Sequence, residues 1–96
     1  MLRKFSLHSS KITVFESPVL LSKINSSSLR ISKIQGDFAW HSHEENDKAI
    51  MVLKGCLQIF LEEQEIILKE NEILIIPRET IHAAKAEEET WIMMID

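Results

Sequence analysis

The sequence predicts an all-β fold, an antiparallel sandwich or barrel, from three observations. Short apolar segments recur along the 96 residues, and polar turn signals separate them at regular intervals. Residues 29–32 alternate apolar and polar side chains, which is typical of a half-buried strand. No long segment carries an apolar stripe of period 3.6 with helix caps, so helices are not expected.

Strand-forming and turn-forming residues predict the elements in order. Strands are predicted at residues 12–15, 19–24, 29–32, 38–43, 49–53, 56–61, 66–68, 73–76, 81–84 and 91–95. Turns or loops are predicted at residues 25–28, 35–37, 44–47, 54–55, 62–65 and 69–72. The alternation of apolar and polar side chains in the strand at 29–32 does not continue through Lys33 and Ile34, so we expect this strand to end or bulge there. The acidic run 87–89 predicts another solvated loop.

Composition and charge exclude several classes of partner. A net charge of −4 and a pI near 5.5 leave no basic field for a phosphate backbone, so nucleic acid is not expected. No long apolar segment follows Arg3 and Lys4, so we expect neither a signal peptide nor a membrane partner. Cys56 is the only cysteine, which excludes an intrachain disulfide and fits a cytoplasmic protein.

His41 and His43 lie two residues apart in the predicted strand 38–43. Alternate side chains of a strand share one face, so the two imidazoles should project into one space. Two imidazoles directed at one point make half of a metal site. Trp40 should face the opposite side of the strand.

With a third histidine, His82, the order of these residues resembles the cupin family of small jelly-roll (double-stranded β-helix) proteins. The first cupin motif resembles Gly-x5-His-x-His-x3,4-Glu-x6-Gly, and the second resembles Gly-x5-Pro-x-Gly-x2-His-x3-Asn. The residues that fit are His41, His43 and Gly55 in the first motif and Pro77 and His82 in the second. The resemblance implies one cupin barrel over residues 1–96, with the first motif at about 35–55 and the second at about 71–86.

The glycine and asparagine positions of these motifs are altered. Gly36 lies one residue too close to His41 for the first motif, and Ala86 replaces the final asparagine of the second. Asn71 replaces the opening glycine of the second motif, and asparagine tolerates left-handed backbone angles. Glu79 replaces the glycine after the proline, which implies a different turn or the same turn with strain.

Lys48 stands where the family has its ligand glutamate. A protonated ammonium has no lone pair and repels a divalent cation. Asp47, at the shorter permitted spacing, could supply a carboxylate instead. Otherwise His41, His43 and His82 remain as a three-histidine site for a divalent transition metal, such as Fe, Ni, Zn, Mn or Cu. Lys48 either reaches solvent beside the acidic loop, which we favour, or points inward as a cation for an anionic ligand.

The run at residues 49–53 is apolar on both faces, so this strand should be buried on both. The resemblance places position 48 on an inward-facing strand, and parity would then turn Ile50 and Val52 into the lumen as well. The lumen would then be mostly apolar with a polar end, which suits a small organic ligand. A second copy of the chain would cover the outer face, and the resemblance adds that small cupins often pair through their sheets. We therefore expect a homodimer.

Two functions follow from these expectations. The first is a metal-dependent enzyme, oxygenase or isomerase-like, that acts on a small organic substrate at a three-histidine centre. The alternative is a non-catalytic cupin that binds a small molecule through a degenerate metal site, with Lys48 supplying positive charge. The fold alone does not decide between them.

Overall fold

The computed structural model describes residues 2–6 and 18–96, and this part of the chain is built from β-strands that pair antiparallel. The predicted all-β class is therefore confirmed. The strand predicted at residues 12–15 lies outside the described residues. The strands are β1 (Val19–Ile24), β2 (Ser27–His41), β3 (Lys48–Lys54), β4 (Cys56–Leu61), β5 (Glu65–Lys69), β6 (Ile73–Ile76) and β7 (His82–Ile95).

Strand β7 holds the two sides of the barrel together. One of its edges pairs with β2 from His82 to Ile95. On the other edge, its first residues pair with β4 and its last residues pair with β3. Strand β1 extends the sheet beyond β2, β6 extends it beyond β3, and β5 extends it beyond β4. A long strand shared in this way bends the sheet around an enclosed apolar interior.

Strand β2 corrects one sequence prediction. The turn expected at residues 35–37 is wrong, because β2 runs without interruption from Ser27 to His41. Its register against β7 shifts between Ile34 and Gly36 and again between Phe38 and His41. The first shift lies at the position where the sequence predicted an end or a bulge, and Gly36 adopts a φ of +109° there. A bulge bends a strand while keeping its pairing, which a turn would end.

Strand β7 corrects a second prediction. The sequence predicted two short strands with an acidic loop between them, but residues 82–95 form one strand. Glu87, Glu88 and Glu89 lie within it and are exposed. They follow the segment paired with β4 and precede the segment paired with β3, so they occupy the bend between the two partners. Charged side chains are tolerated at this bend because their face is solvated.

The interior is filled by aliphatic side chains from both sides of the barrel. Ile50 and Val52 are buried, at 7% and 0% exposure, which confirms their predicted inward direction. The buried cluster also contains Ile34, Leu57, Ile59, Leu68, Ile76, Ala86, Ile92 and Met94. Within the described ranges, no helix is long and apolar enough to cross a membrane.

Four connections between the described strands use left-handed backbone angles, at Asn25, Gly55, Asn71 and Glu79. Asn71 has a φ of +66°, as the sequence predicted for a residue in place of glycine. Glu79 has a φ of +65°, so it keeps the glycine-type conformation with a side chain that disfavours it. Its backbone N–H donates to the His43 carbonyl oxygen at 2.6 Å, which ties this turn to the loop that carries His43.

Gly55, between β3 and β4, is a position where an added methyl group should destabilise the fold. Its φ is +97°, and a Cβ there would lie 2.6 Å from Thr90 Oγ1 and 2.9 Å from the Glu89 carbonyl oxygen. We expect Gly55→Ala to lower the free energy of unfolding by about 2–4 kcal/mol, from backbone strain and overpacking together. Urea denaturation measures this loss.

Gly36→Ala is the matched control for that substitution. Gly36 also has a positive φ, +109°, but a Cβ there would meet nothing within 4 Å. It should therefore show only the strain component, about 1–2 kcal/mol. Equal losses for the two variants would contradict the role of the Thr90 contact.

Candidate metal centre

Three histidines meet at one end of the barrel interior, although different elements carry them. His41 is the last residue of β2, His82 is the first residue of β7, and the two are paired in register. Phe38 and His41 are three residues apart, so in a regular strand their side chains would lie on opposite faces. The register shift between them allows both Phe38 and His41 to line the same cavity. His43 lies just beyond β2, so the strand predicted at residues 38–43 ends two residues early.

The imidazole rings are close enough to share one ion. The ring centroids of His41 and His82 are 4.3 Å apart, those of His41 and His43 are 5.0 Å apart, and those of His43 and His82 are 5.5 Å apart. One ligand nitrogen from each ring lies within 4.8 Å of the others. Imidazole nitrogens at this spacing could hold a metal ion.

Backbone hydrogen bonds fix the orientation and the protonated nitrogen of two of the rings. His41 Nδ1 lies 2.8 Å from the Ala39 carbonyl oxygen, and His82 Nδ1 lies 2.9 Å from the Thr80 carbonyl oxygen. A carbonyl oxygen only accepts, so each Nδ1 carries the proton and each Nε2 keeps its lone pair. Histidine ligands of metals are oriented by hydrogen bonds of this kind.

His43 adds a buried nitrogen that lacks a protein partner. Its Nε2 is buried and has no hydrogen-bond partner among the residues that the structure describes. An unsatisfied buried polar atom carries a desolvation cost of about 1–3 kcal/mol unless something binds it. This atom therefore fits a ligand nitrogen for a cation.

The electrostatic surroundings favour the neutral form of His43 and His82. Burial is the main cause that lowers the pKa of His43, and the nearby charges of Lys48 and the other two histidines lower it further. Burial also lowers the pKa of His82, against the opposing effect of its hydrogen bond to Thr80. Neutral imidazole is the form that binds a metal, so these shifts leave the lone pairs available at neutral pH.

Lys48 lines the same cavity, so the interpretation that we favoured, in which it extends to solvent, is wrong. It is the first residue of β3, where parity with Ile50 and Val52 turns its side chain inward. Burial lowers the pKa of Lys48, and nearby Arg30 lowers it further, while Asp96 acts in the opposite direction. The cation is thus held partly desolvated close to the histidines.

Asp47 does not supply the missing carboxylate. It is exposed, and its Oδ1 accepts a hydrogen bond from the Arg78 backbone N–H at 2.9 Å. The ligand group formed by the described His, Cys, Asp and Glu residues around this point contains only the three histidines. Asp47 instead connects the loop after β2 to the turn after β6.

A cavity of about 140 Å³ lies behind the histidines. Its lining is mostly apolar, which confirms the predicted character of the lumen, and it includes Ile34, Ile50, Leu57, Ile59, Ile92 and Met94. Ser32 also lines it, and the sequence did not predict this. The alternation at residues 29–32 is compatible with either face inward, and nothing in the segment marks Ser32 as the inner side chain.

Comparisons with known proteins agree with this architecture. The family described as "Cupin domain" matches residues 30–96. "Uncharacterized protein YdbB" of Bacillus subtilis (strain 168) is 33% identical over 67 residues, which are 69% of this chain and 59% of YdbB. The chain therefore aligns with little more than half the length of that relative.

Two solved structures have the same fold. A cupin-2 domain containing protein from Shewanella frigidimarina NCIMB 400 has a TM-score of 0.84 and 34% identity, covering 86% of this chain and 81% of its own. Protein NMB1881 from Neisseria meningitidis has a TM-score of 0.87 and 20% identity, covering 97% of each chain. These neighbours confirm the predicted jelly-roll barrel. With the domain match over most of its length, the chain belongs to the cupin family.

Proposed function

We propose that this cupin binds one divalent transition metal through His41, His43 and His82 and is a metal-dependent enzyme acting on a small organic substrate. The observation that carries the proposal is the convergence of three imidazoles, each with a nitrogen available and all within 4.8 Å. Two of them are already fixed in the ligand tautomer by backbone carbonyls. The adjoining apolar cavity provides a place for the organic part of a substrate.

The residues that the structure describes supply three ligand nitrogens, one fewer than the four protein ligands of a closed structural site. A metal held by three imidazoles keeps open positions, where it would supply Lewis-acid or redox chemistry, as in an isomerase-like enzyme or an oxygenase. Iron, nickel, zinc, manganese and copper all accept imidazole ligands, and the donor set does not select one of them. The barrel walls would orient the substrate and limit the access of water.

A specific observation favours a second candidate, a non-catalytic cupin that binds a small molecule without metal. Lys48 occupies the glutamate position of the family motif and lines the cavity. Its positive charge opposes a metal cation and attracts an anion. In this case the histidines would serve as polar contacts for the ligand.

Elemental analysis of protein purified without added metal separates the two candidates. The enzyme proposal predicts close to one bound transition metal per chain, either as purified or after reconstitution with Fe²⁺, Ni²⁺ or Zn²⁺. Protein that stays metal-free after reconstitution would support the second candidate. The same preparation should be checked for the folded β-structure, so that an unfolded sample is not counted as metal-free.

The outer face of the sheet supports the proposal of a homodimer. Ile73 and Ile75 on β6 are 59% and 58% exposed, and Ile95 on β7 is 37% exposed. In the register these residues flank Ala49 and Met51 of β3, which gives one apolar patch across three neighbouring strands. Exposed apolar patches of this kind mark association surfaces.

The inferred location is the cytoplasm, where a single cysteine stays reduced.

Light scattering after size-exclusion chromatography tests the dimer. The wild-type chain should elute at twice its mass of 11.1 kDa, and the double variant Ile73→Lys, Ile75→Lys should shift to the monomer, because two charges in the patch oppose its burial. Ile67→Lys is the matched control, since Ile67 is 52% exposed on β5, outside the patch. A monomeric wild type, or the same shift with the control, would contradict the proposed interface.

A further inference from the structure

The cavity beside the histidines is apolar apart from a few side chains, and two of these suggest what it binds. Lys48 and Ser32 both line it; the Ser32 Oγ is buried without a hydrogen-bond partner among the described residues, and no described carboxylate forms an ion pair with Lys48. Polar groups inside a protein normally have hydrogen-bond or ion-pair partners. A hydroxyl and an ammonium group that line one cavity without such partners therefore indicate a ligand.

Lys48 is available for an anion because its acidic neighbour is already engaged. Asp96 forms an ion pair with Arg30, with Arg30 Nη1 and Asp96 Oδ1 2.7 Å apart. Along the part of the chain that the structure describes, no carboxylate lies within ion-pair distance of Lys48. The positive charges of Lys48 and Arg30 thus exceed the single negative charge of Asp96 at this end of the cavity. This excess favours a ligand with one negative charge.

Ser32 marks the position of a second polar contact. Its side chain is 1% exposed, and its Oγ is buried without a hydrogen-bond partner among the described residues. In the β2–β7 register Ser32 pairs with Ile92, which in turn pairs with Val52 of β3. Val52 is four residues after Lys48, so the backbone positions of Lys48 and Ser32 are offset by about 13 Å along the strand direction. The long side chain of Lys48 brings its ammonium group closer to Ser32 than this offset.

The volume of the cavity limits the ligand between these two groups. The cavity measures about 140 Å³. An engineered apolar cavity of about 150 Å³ in another protein binds benzene. The apolar body of the ligand should therefore have about six non-hydrogen atoms, the size of one ring or a short branched chain.

We infer that the cavity binds a small monocarboxylate, with its carboxylate on Lys48, an apolar body of benzene size among the aliphatic side chains, and a distal hydroxyl on Ser32. This inference rests on the proposed function, because it names the class of substrate for the same site. In this arrangement the lysine takes the place of the ligand glutamate and holds the acid group next to the three histidines. Monocarboxylates with one polar group at the far end are the preferred ligands.

Calorimetric titration with benzoate, benzamide and 4-hydroxybenzoate tests the inference on folded protein, both metal-free and metal-loaded. Benzoate and benzamide have similar shape, but only benzoate carries a charge. We expect benzoate to bind at least about tenfold more tightly than benzamide, because hydrogen bonds to charged groups are the stronger ones. We expect 4-hydroxybenzoate to bind several-fold more tightly than benzoate, because its hydroxyl reaches Ser32.

Two variants assign these preferences to the two side chains. Lys48→Met should remove the preference for benzoate over benzamide, and Lys69→Met is its matched control, because Lys69 is exposed on β5. Ser32→Ala should remove the preference for 4-hydroxybenzoate over benzoate, and Ser26→Ala at an exposed turn is its control. Thermal unfolding of each variant shows that it remains folded.

Three results would overturn the inference: benzoate binding no tighter than benzamide, unchanged preferences in Lys48→Met, or unchanged preferences in Ser32→Ala. These results are scored on the metal-free protein, because a bound metal could itself coordinate the benzoate carboxylate, and elemental analysis measures the metal content separately. A metal-loaded protein that ignores benzoate would refute the substrate class and leave the metal proposal standing. A protein that stays metal-free after reconstitution and binds benzoate through Lys48 would refute the metal proposal and support the substrate class.

Discussion

Replacing His82 with alanine is expected to lower the metal affinity of the protein by at least about a hundredfold, because even the loss of an outer-shell partner of a metal ligand typically costs 10–100-fold. His82 is 3% exposed, and its Nδ1 is held by the Thr80 carbonyl oxygen, so it is the most rigidly placed of the three histidines. Its removal leaves two imidazoles, which is too few for a stable transition-metal site. Metal titration monitored by calorimetry measures the loss.

His41→Ala and His43→Ala should produce losses of similar size, because each removes one of three equivalent ligand nitrogens. His8→Ala changes the remaining histidine of the sequence and serves as the control for nonspecific imidazole binding. A His82→Ala protein that is folded and still binds metal as tightly as the wild type would show that the ligands are elsewhere.

Lys48→Glu is expected to raise the metal affinity by about tenfold to a hundredfold, a gain of about 1.4–2.8 kcal/mol. The substitution removes a cation that faces the cavity and supplies a carboxylate at the position that the family motif gives to a ligand. Both changes favour a divalent ion. The same substitution should abolish the binding of benzoate, so metal and anion affinity should move in opposite directions.

Two further variants separate repulsion from ligation in this prediction. Lys48→Met removes the positive charge without adding a ligand, so its gain in metal affinity should be smaller than that of Lys48→Glu. Lys69→Glu makes the same change in net charge on exposed β5, away from the site. An equal effect of Lys48→Glu and Lys69→Glu would mean that only the overall charge matters, and it would contradict an inward role for Lys48.

The sequence predicted the barrel well because strand-forming segments and turn residues are local signals. The segments at residues 19–24, 56–61 and 73–76 coincide with β1, β4 and β6. Asn71 and Glu79 kept the left-handed conformations expected at motif glycine positions. The errors fell on the long strands. Bulges in β2 and the bend of β7 depend on pairing with distant partners, which a local pattern does not encode.

The site could be predicted only as far as its ligand types. The spacing of His41 and His43, followed by His82, indicated a shared site, and the structure brings the three together. The direction of Lys48 could not be predicted, since a lysine beside an acidic loop is ordinarily solvated. Ser32 was missed for a related reason: in a strand buried on both faces, a serine does not show which face is inner. Ile31 beside it is 6% exposed and Ser32 is 1% exposed.

X-ray absorption spectroscopy of the zinc-loaded protein tests the metal centre most directly. Three imidazole nitrogens should appear at about 2.0–2.1 Å, with one or more light ligands from solvent completing the shell. The His82→Ala protein, loaded at the same zinc concentration, should lose one imidazole or the ordered shell altogether. A wild-type spectrum with no imidazole contribution, or one unchanged in His82→Ala, would contradict the proposal that His41, His43 and His82 form the metal site of this cupin.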